Sequence, residues 1–133
     1  MTLTEFATKI IGTPFVDRSC SYSGIDCWRL IVLAYKECCG INLPDGIEYS
    51  CFEPERAREA LISGTKKEWL SIQSGLEKTW DVICFRPCHV GLILGQGKML
   101  HVRENGSVCI ERYLSPLWKS IIFGIYRYEQ LAS

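Results

Sequence analysis

One cysteine and two histidines carry the chemistry this sequence can offer: Cys27, His89 and His101. Cys27 follows Asp26 where a loop holding Ser23 and Gly24 turns into an apolar run of helical spacing, so its thiol sits at a helix start. There the helix dipole favours the thiolate. The two histidines lie in consecutive strand-like segments joined by Gly95-Gln96-Gly97. A thiol at a helix start facing imidazoles on a sheet is a geometry for nucleophilic catalysis.

Strand periodicity tests whether the imidazoles can cooperate. In His89 to Leu94, residues His89, Gly91 and Ile93 share a face, and across the turn Met99, His101 and Arg103 do. A hairpin turning about Gln96 sets position 91 opposite 101 and position 89 opposite 103. His89 and His101 then become diagonal neighbours, with Gly91 leaving the space between them empty. The separation of the two histidines is even, so an odd-length loop keeps both rings on one side, and a one-residue slip separates them.

In this reading His89 takes the Cys27 proton and His101 orients His89 through its other ring nitrogen. Backbone N–H groups at the helix start are positioned for an oxyanion. The reaction class is acyl transfer from an amide or ester to the thiol, followed by hydrolysis. Asp26 reads as a helix cap. Trp28, Trp69, Trp80 and Trp118 read as core or cleft wall. Arg29 reads either as solvent-facing or as a contact for an acidic substrate, and Arg103, on the histidine face, as a carboxylate ligand. Trp28, Arg29 and Arg103 are therefore the substrate-binding candidates.

The elements that must position these groups are short. Thr2 and Glu5 have capping-box spacing ahead of an apolar stripe, Phe6, Ile10 and Ile11, that stops at Gly12 and Pro14. A second helix is predicted over Cys27 to Cys39, where Cys27, Leu30, Ile31, Ala34, Tyr35 and Cys38 recur at spacings of three and four before Gly40. A third is expected from Pro54 to Gly64, and Thr65 to Lys78 is ambiguous. Five strands follow: Asp81 to Phe85, His89 to Leu94, Lys98 to Arg103, Ser107 to Arg112 and Ile121 to Tyr128. Helices first and antiparallel strands afterwards predict an α+β fold.

The 133 residues, 47% of them hydrophobic, suit a single domain over 1–133. Fifteen basic and fifteen acidic residues give a formal net charge of zero, so charge nominates neither nucleic acid nor an anionic membrane as partner. No window approaches a membrane span and no secretory signal is evident at Met1 to Ile11, which leads to the expectation of a soluble protein made in the cytosol. Reduced there, most of the eight cysteines are expected to be small buried hydrophobes. Cys84 and Cys88 form a lone CxxxC with no second pair, so no metal and no cofactor is expected.

Gly12-Thr13-Pro14-Phe15, Asp26-Cys27-Trp28-Arg29-Leu30-Ile31, Leu43-Pro44, Asp81-Val82-Ile83-Cys84-Phe85 and His89-Val90-Gly91-Leu92-Ile93-Leu94-Gly95 through Met99-Leu100-His101 resemble successive motifs of the NlpC-type cell-wall cysteine peptidases. The resemblance implies a papain-like fold with Cys27 as nucleophile, His89 as base and His101 as orienting residue. It implies peptidoglycan stem peptides as substrate, cut between D-glutamate and diaminopimelate. The Asp-Cys-Trp variant resembles the branch carried in phage and prophage tails, which implies virion tail localisation, tail-tip or hub proteins as partners and action in the bacterial wall.

Three departures stand out. Phe15 replaces a frequent Tyr, whose hydroxyl Tyr22 is the candidate to supply. Trp28-Arg29 replaces a small pair, and Trp80 replaces the Gly before the Asp-Val strand, both expected to narrow the cleft. The alternatives carried are a tail-tip structural or assembly protein with little activity, an injected antibacterial effector, and a thiol acyltransferase or deamidase.

Overall fold

The structure, a computed structural model, describes residues 1–43 and 69–131. The helix expected from Pro54 to Gly64 lies outside the described residues. Helix α1 (Leu3–Ile10) begins on the predicted capping box, with the Thr2 side chain accepting from the Glu5 N–H and the Glu5 carboxylate accepting from the Thr2 N–H. A small hairpin, β1 (Cys20–Ser21) with β2 (Gly24–Ile25), leads into α2 (Cys27–Cys39), whose bounds are those predicted. Asp26 caps α2 by accepting from the Arg29 N–H at 2.9 Å, and Gly40 ends it.

Next come β3 (Trp69–Ile72), β4 (Val82–Phe85), β5 (His89–Gly95), β6 (Lys98–His101), β7 (Cys109–Arg112), the four-residue α3 (Pro116–Lys119) and β8 (Ile122–Tyr128), with a 3₁₀ turn over Glu129–Leu131. The strands form one antiparallel sheet in the order β3-β8-β4-β5-β6-β7. The α+β class holds. The five expected strands are present, four with trimmed ends and β5 one residue longer, and β3 emerges from the ambiguous stretch. It is recruited by pairing with β8, a long-range contact that local pattern does not announce.

Strand alternation divides the core between the two sheet faces. Val82, Cys84, Val90, Leu92 and Leu100 join Leu30, Ile31, Ala34 and Tyr35 of α2 in one buried cluster. Ile83, Phe85, Ile93, Met99 and Ile125 form a second with Tyr113 and Trp118. Each fully buried aliphatic side chain contributes about 1.5–3 kcal/mol. The sheet is tied at its start by Asp81, which is 1% exposed and accepts two hydrogen bonds of 2.8 Å from the Arg127 guanidinium.

Several expectations are corrected. Among the described cysteines only Cys27 and Cys84 are buried; Cys20 is exposed and Cys38, Cys39, Cys88 and Cys109 are half-buried. Cys51 lies outside the described residues. Trp80 packs edge-on against Tyr35, 5.2 Å between ring centroids, and its carbonyl accepts from the Tyr35 hydroxyl. Its backbone has φ 81°, the left-handed region, which accounts for a glycine being the easier residue there. Among the described residues no helix is long and apolar enough to cross a membrane.

Candidate active site

The β5–β6 hairpin delivers both histidines to one face, by a route the loop length alone does not reveal. Leu92 pairs with Leu100 and Ile93 with Met99, the predicted register, but Gly95 pairs with Lys98. The loop is thus two residues, Gln96 at φ 55° and Gly97 at φ 74°, as hairpin twist favours. An even loop of that kind would separate the rings. The irregularity between Ile93 and Gly95, with Gly95 at φ 110°, absorbs one residue and restores the symmetric register.

As a result, His89 Nε2 lies 2.8 Å from His101 Nδ1. The space near Gly91 is not empty, however. A Cβ there would meet Met99 Sδ at 2.9 Å and His101 Cβ at 3.5 Å, so glycine is needed for close packing beneath the pair.

Behind His101 stands β7, paired so that Cys109 lies opposite His101 and Glu111 opposite Met99. Glu111 Oε1 is 3.2 Å from His101 Nε2, and Glu111 Oε2 accepts from the Trp118 indole N–H at 2.9 Å. Trp118, carried by α3, stacks on His89 with 5.3 Å between centroids and meets His101 edge-on at 5.1 Å. Neither Glu111 nor Trp118 was singled out for this role from sequence. The alternation of Cys109 and Glu111 on an expected strand following His101 was the available signal.

The electrostatics fix the tautomers. Burial, with His101 and Arg103 nearby, pushes His89 down to about 3, and burial lowers His101 against the pull of Glu111. Both rings are neutral at pH 7. Burial works against ionised Glu111, but Trp118, His101 and Arg103 together hold its carboxyl below the usual range. A carboxylate only accepts, so His101 carries its proton on Nε2 and offers the Nδ1 lone pair. His89 must then donate from Nε2, which leaves the lone pair of its Nδ1 as the basic site.

Cys27, the first residue of α2, is fully buried, in the cluster that includes Val90, and α2 packs against β5. Arg103 is exposed, 3.5 Å from Glu111 Oε1, its guanidinium 5.4 Å above the Trp118 ring. Trp28 is half-buried and meets Trp69 edge-on at 6.3 Å. Arg29 departs from the solvent-facing expectation. It is 4% exposed, and its guanidinium donates to Asp26 Oδ2 at 2.7 Å, because one carboxylate both caps the helix and neutralises the buried cation. Tyr22 is engaged elsewhere, donating to Glu37 at 3.1 Å, so it supplies no hydroxyl in place of the one Phe15 lacks.

A groove of about 330 Å³ opens beside His89, walled by Phe15, Arg86, Pro87, Cys88, Val102, Arg103, Glu104, Trp118 and Ile121.

A model of the NlpC/P60 family matches residues 12–127. A gamma-DL-glutamyl hydrolase of Bacillus subtilis (strain 168) is 27% identical over 136 residues, a match spanning 97% of this chain and 29% of that protein. A lipoprotein-like NLP/P60 protein of Staphylococcus aureus subsp. aureus Mu50 has a similar fold, with TM-score 0.71 and 21% identity over 96% of this chain and 40% of that one. The NlpC/p60 domain of the peptidoglycan hydrolase SagA does so with TM-score 0.67 and 21% identity, over 94% of each chain.

Proposed function

We propose, starting from the fact that this chain belongs to the NlpC/P60 family, that it is a cysteine endopeptidase acting on peptidoglycan stem peptides through Cys27, His89 and His101. The observation that carries the reading is the 2.8 Å contact between His89 Nε2 and His101 Nδ1, backed by Glu111, which directs the lone pair of the base to His89 Nδ1. The peptidoglycan hydrolase SagA and the gamma-DL-glutamyl hydrolase of Bacillus subtilis, both similar to this chain, support the substrate class.

In the proposed reaction, His89 Nδ1 accepts the Cys27 proton at the end of the sheet where β5 begins. The thiolate, favoured by the N-terminus of α2, attacks the amide carbonyl. Collapse of the tetrahedral intermediate passes the proton from His89 to the departing amine and leaves a thioester. Water, deprotonated by His89, then releases the acid and the free thiol. Arg103, and Trp28 at the α2 start, are the substrate-binding residues of this reading. Arg29 is the least suited, being committed to Asp26.

The proposed bond joins D-glutamate to diaminopimelate, consistent with the glutamyl hydrolase relative. Carriage at the tip of a phage or prophage tail, with tail-tip proteins as partners, rests on the Asp26-Cys27-Trp28 resemblance. Mass spectrometry of products from defined muropeptides tests bond and activity together. Wild type should release the D-glutamyl fragment and Cys27→Ser should not. Equal turnover by both would overturn the assignment of Cys27, and absence of turnover in both would favour the structural role.

A further inference from the structure

Across β6 and β7, three side chains converge on one point outside the groove. His101 Nε2, Cys109 Sγ and Glu111 Oε1 form a triangle with sides of 3.2 Å (nitrogen to oxygen), 3.7 Å (nitrogen to sulfur) and 3.6 Å (sulfur to oxygen). Tetrahedral zinc with ordinary bond lengths requires ligand separations of about 3.3 Å for nitrogen to oxygen and about 3.5 Å for sulfur to either.

The ligands are also oriented from outside, as metal ligands generally are. His101 is held through its other nitrogen by His89, and Glu111 through its other oxygen by the Trp118 indole. We infer that His101, Cys109 and Glu111 form a binding site for zinc or a similar borderline-soft divalent cation, with one coordination position left for water.

The register explains why the trio exists. Cys109 is the cross-strand partner of His101, and Glu111 lies two residues further along the same face of β7. The mixed sulfur, nitrogen and carboxylate donor set selects zinc over calcium or magnesium. The Arg103 guanidinium, 3.5 Å from Glu111 Oε1, is the local competitor, and its side chain is 55% exposed, free to swing away.

The consequence for catalysis rests on the proposed hydrolase reading. A cation on His101 Nε2 displaces that proton to solvent, and Cys109 loses its thiol proton likewise. His101 then takes the His89 Nε2 proton onto Nδ1, and His89 regains one from solvent on its own Nδ1. The base is thereby capped, so zinc is an inhibitor acting through the orienting histidine.

Calorimetric titration of the full chain with zinc, in the Cys27→Ala background to remove the nucleophile, tests the site without reference to activity. One equivalent should bind, and adding Cys109→Ala should weaken binding by at least roughly 100-fold, since a direct ligand is lost. Cobalt(II) should give a thiolate charge-transfer band that disappears with Cys109→Ala. Thermal melts report folding of each variant, and Glu111→Gln serves if Cys109→Ala does not fold. Unchanged zinc affinity on removal of Cys109, or no binding at all, overturns the site. In the activity arm, Cys109→Ala should hydrolyse muropeptides like wild type yet resist zinc, while wild type is inhibited and restored by a chelator. Equal inhibition of both overturns the regulatory step. A wild type inactive even with chelator overturns the hydrolase reading and leaves the titration to judge the site.

Discussion

Glu111 shows how much a residue one step removed from the proposed base, His89, can decide. Its Oε1 meets His101 Nε2–H, with the Cys109 thiol and the Arg103 guanidinium on the same oxygen, and its Oε2 meets the Trp118 indole N–H. A carboxamide has a single oxygen, so Glu111→Gln must present an NH₂ to one of them. If that one is His101, the imidazole is driven to the opposite tautomer, and the lone pair leaves His89 Nδ1. We expect kcat on muropeptides to fall by roughly 10- to 100-fold with little change in KM, less than the ~10⁴-fold seen when the group orienting a catalytic histidine directly is neutralised. Steady-state kinetics in chelator-treated buffer check it; a rise in KM at constant kcat would place Glu111 in binding instead. Removal of the proposed base by His89→Ala should abolish turnover and also lower the thermal melt, because the ring packs on Trp118 and Phe85 and its loss leaves His101 Nδ1 without a partner, so the melt of each variant is read beside its activity.

At the level of elements, the parts of the site governed by local pattern were legible and the parts governed by pairing were not. Helix α2 announced itself through spacing, the Asp26 cap and Gly40, and the shared face of His89 and His101 followed from an even separation in sequence. The register came out right although the loop is even rather than odd, because a bulge at Gly95 compensates, and a bulge leaves no trace in alternation. Strand β3 depends on β8, whose residues no local window shares with it, and the Glu111–Trp118 support, although its partners are near in sequence, depends on β6–β7 pairing and on a four-residue helix that spacing alone does not orient. The zinc trio escaped for the same reason, since its ligands span two strands while a search for paired CxxC spacing sees one segment at a time. The bulge makes its own prediction. A Cβ at Gly95 would sit 3.1 Å from Thr79 Oγ1 on a backbone at φ 110°. Gly95→Ala should therefore lower the unfolding free energy by ~1–3 kcal/mol in urea titration. Activity should fall further than stability alone requires, because relief of strain by losing the bulge turns one ring away from the other.

Over the whole molecule, two anchors hold the sheet: the packing of α2 on one face, and the Asp81–Arg127 pair joining the start of β4 to β8. Removing one partner leaves a nearly buried carboxylate without its cation, so Arg127→Leu should cost about 3 kcal/mol or more. The histidine pair also makes global stability respond to pH, with a definite sign. Folding holds His89 down to about 3 and lowers His101 as well, chiefly through burial. In the unfolded chain both imidazoles titrate near ~6.5. Above that value neither state binds these protons and the stability is at its full level. As pH falls below it, the unfolded chain takes up protons that the folded protein refuses, and stability declines toward the folded value. These are the two histidines of the chain. The urea midpoint should therefore drop between pH 7.5 and pH 5, and His89→Gln should remove a large part of that slope. Activity, on the proposed mechanism, should behave differently over the same interval, since the proposed base stays neutral: kcat/KM in chelated buffer should show no acidic limb near ~6.5, the ordinary imidazole value. A limb at that value would mean that His89 is solvated and protonated freely in the working enzyme, contrary to its packing against Trp118 and His101.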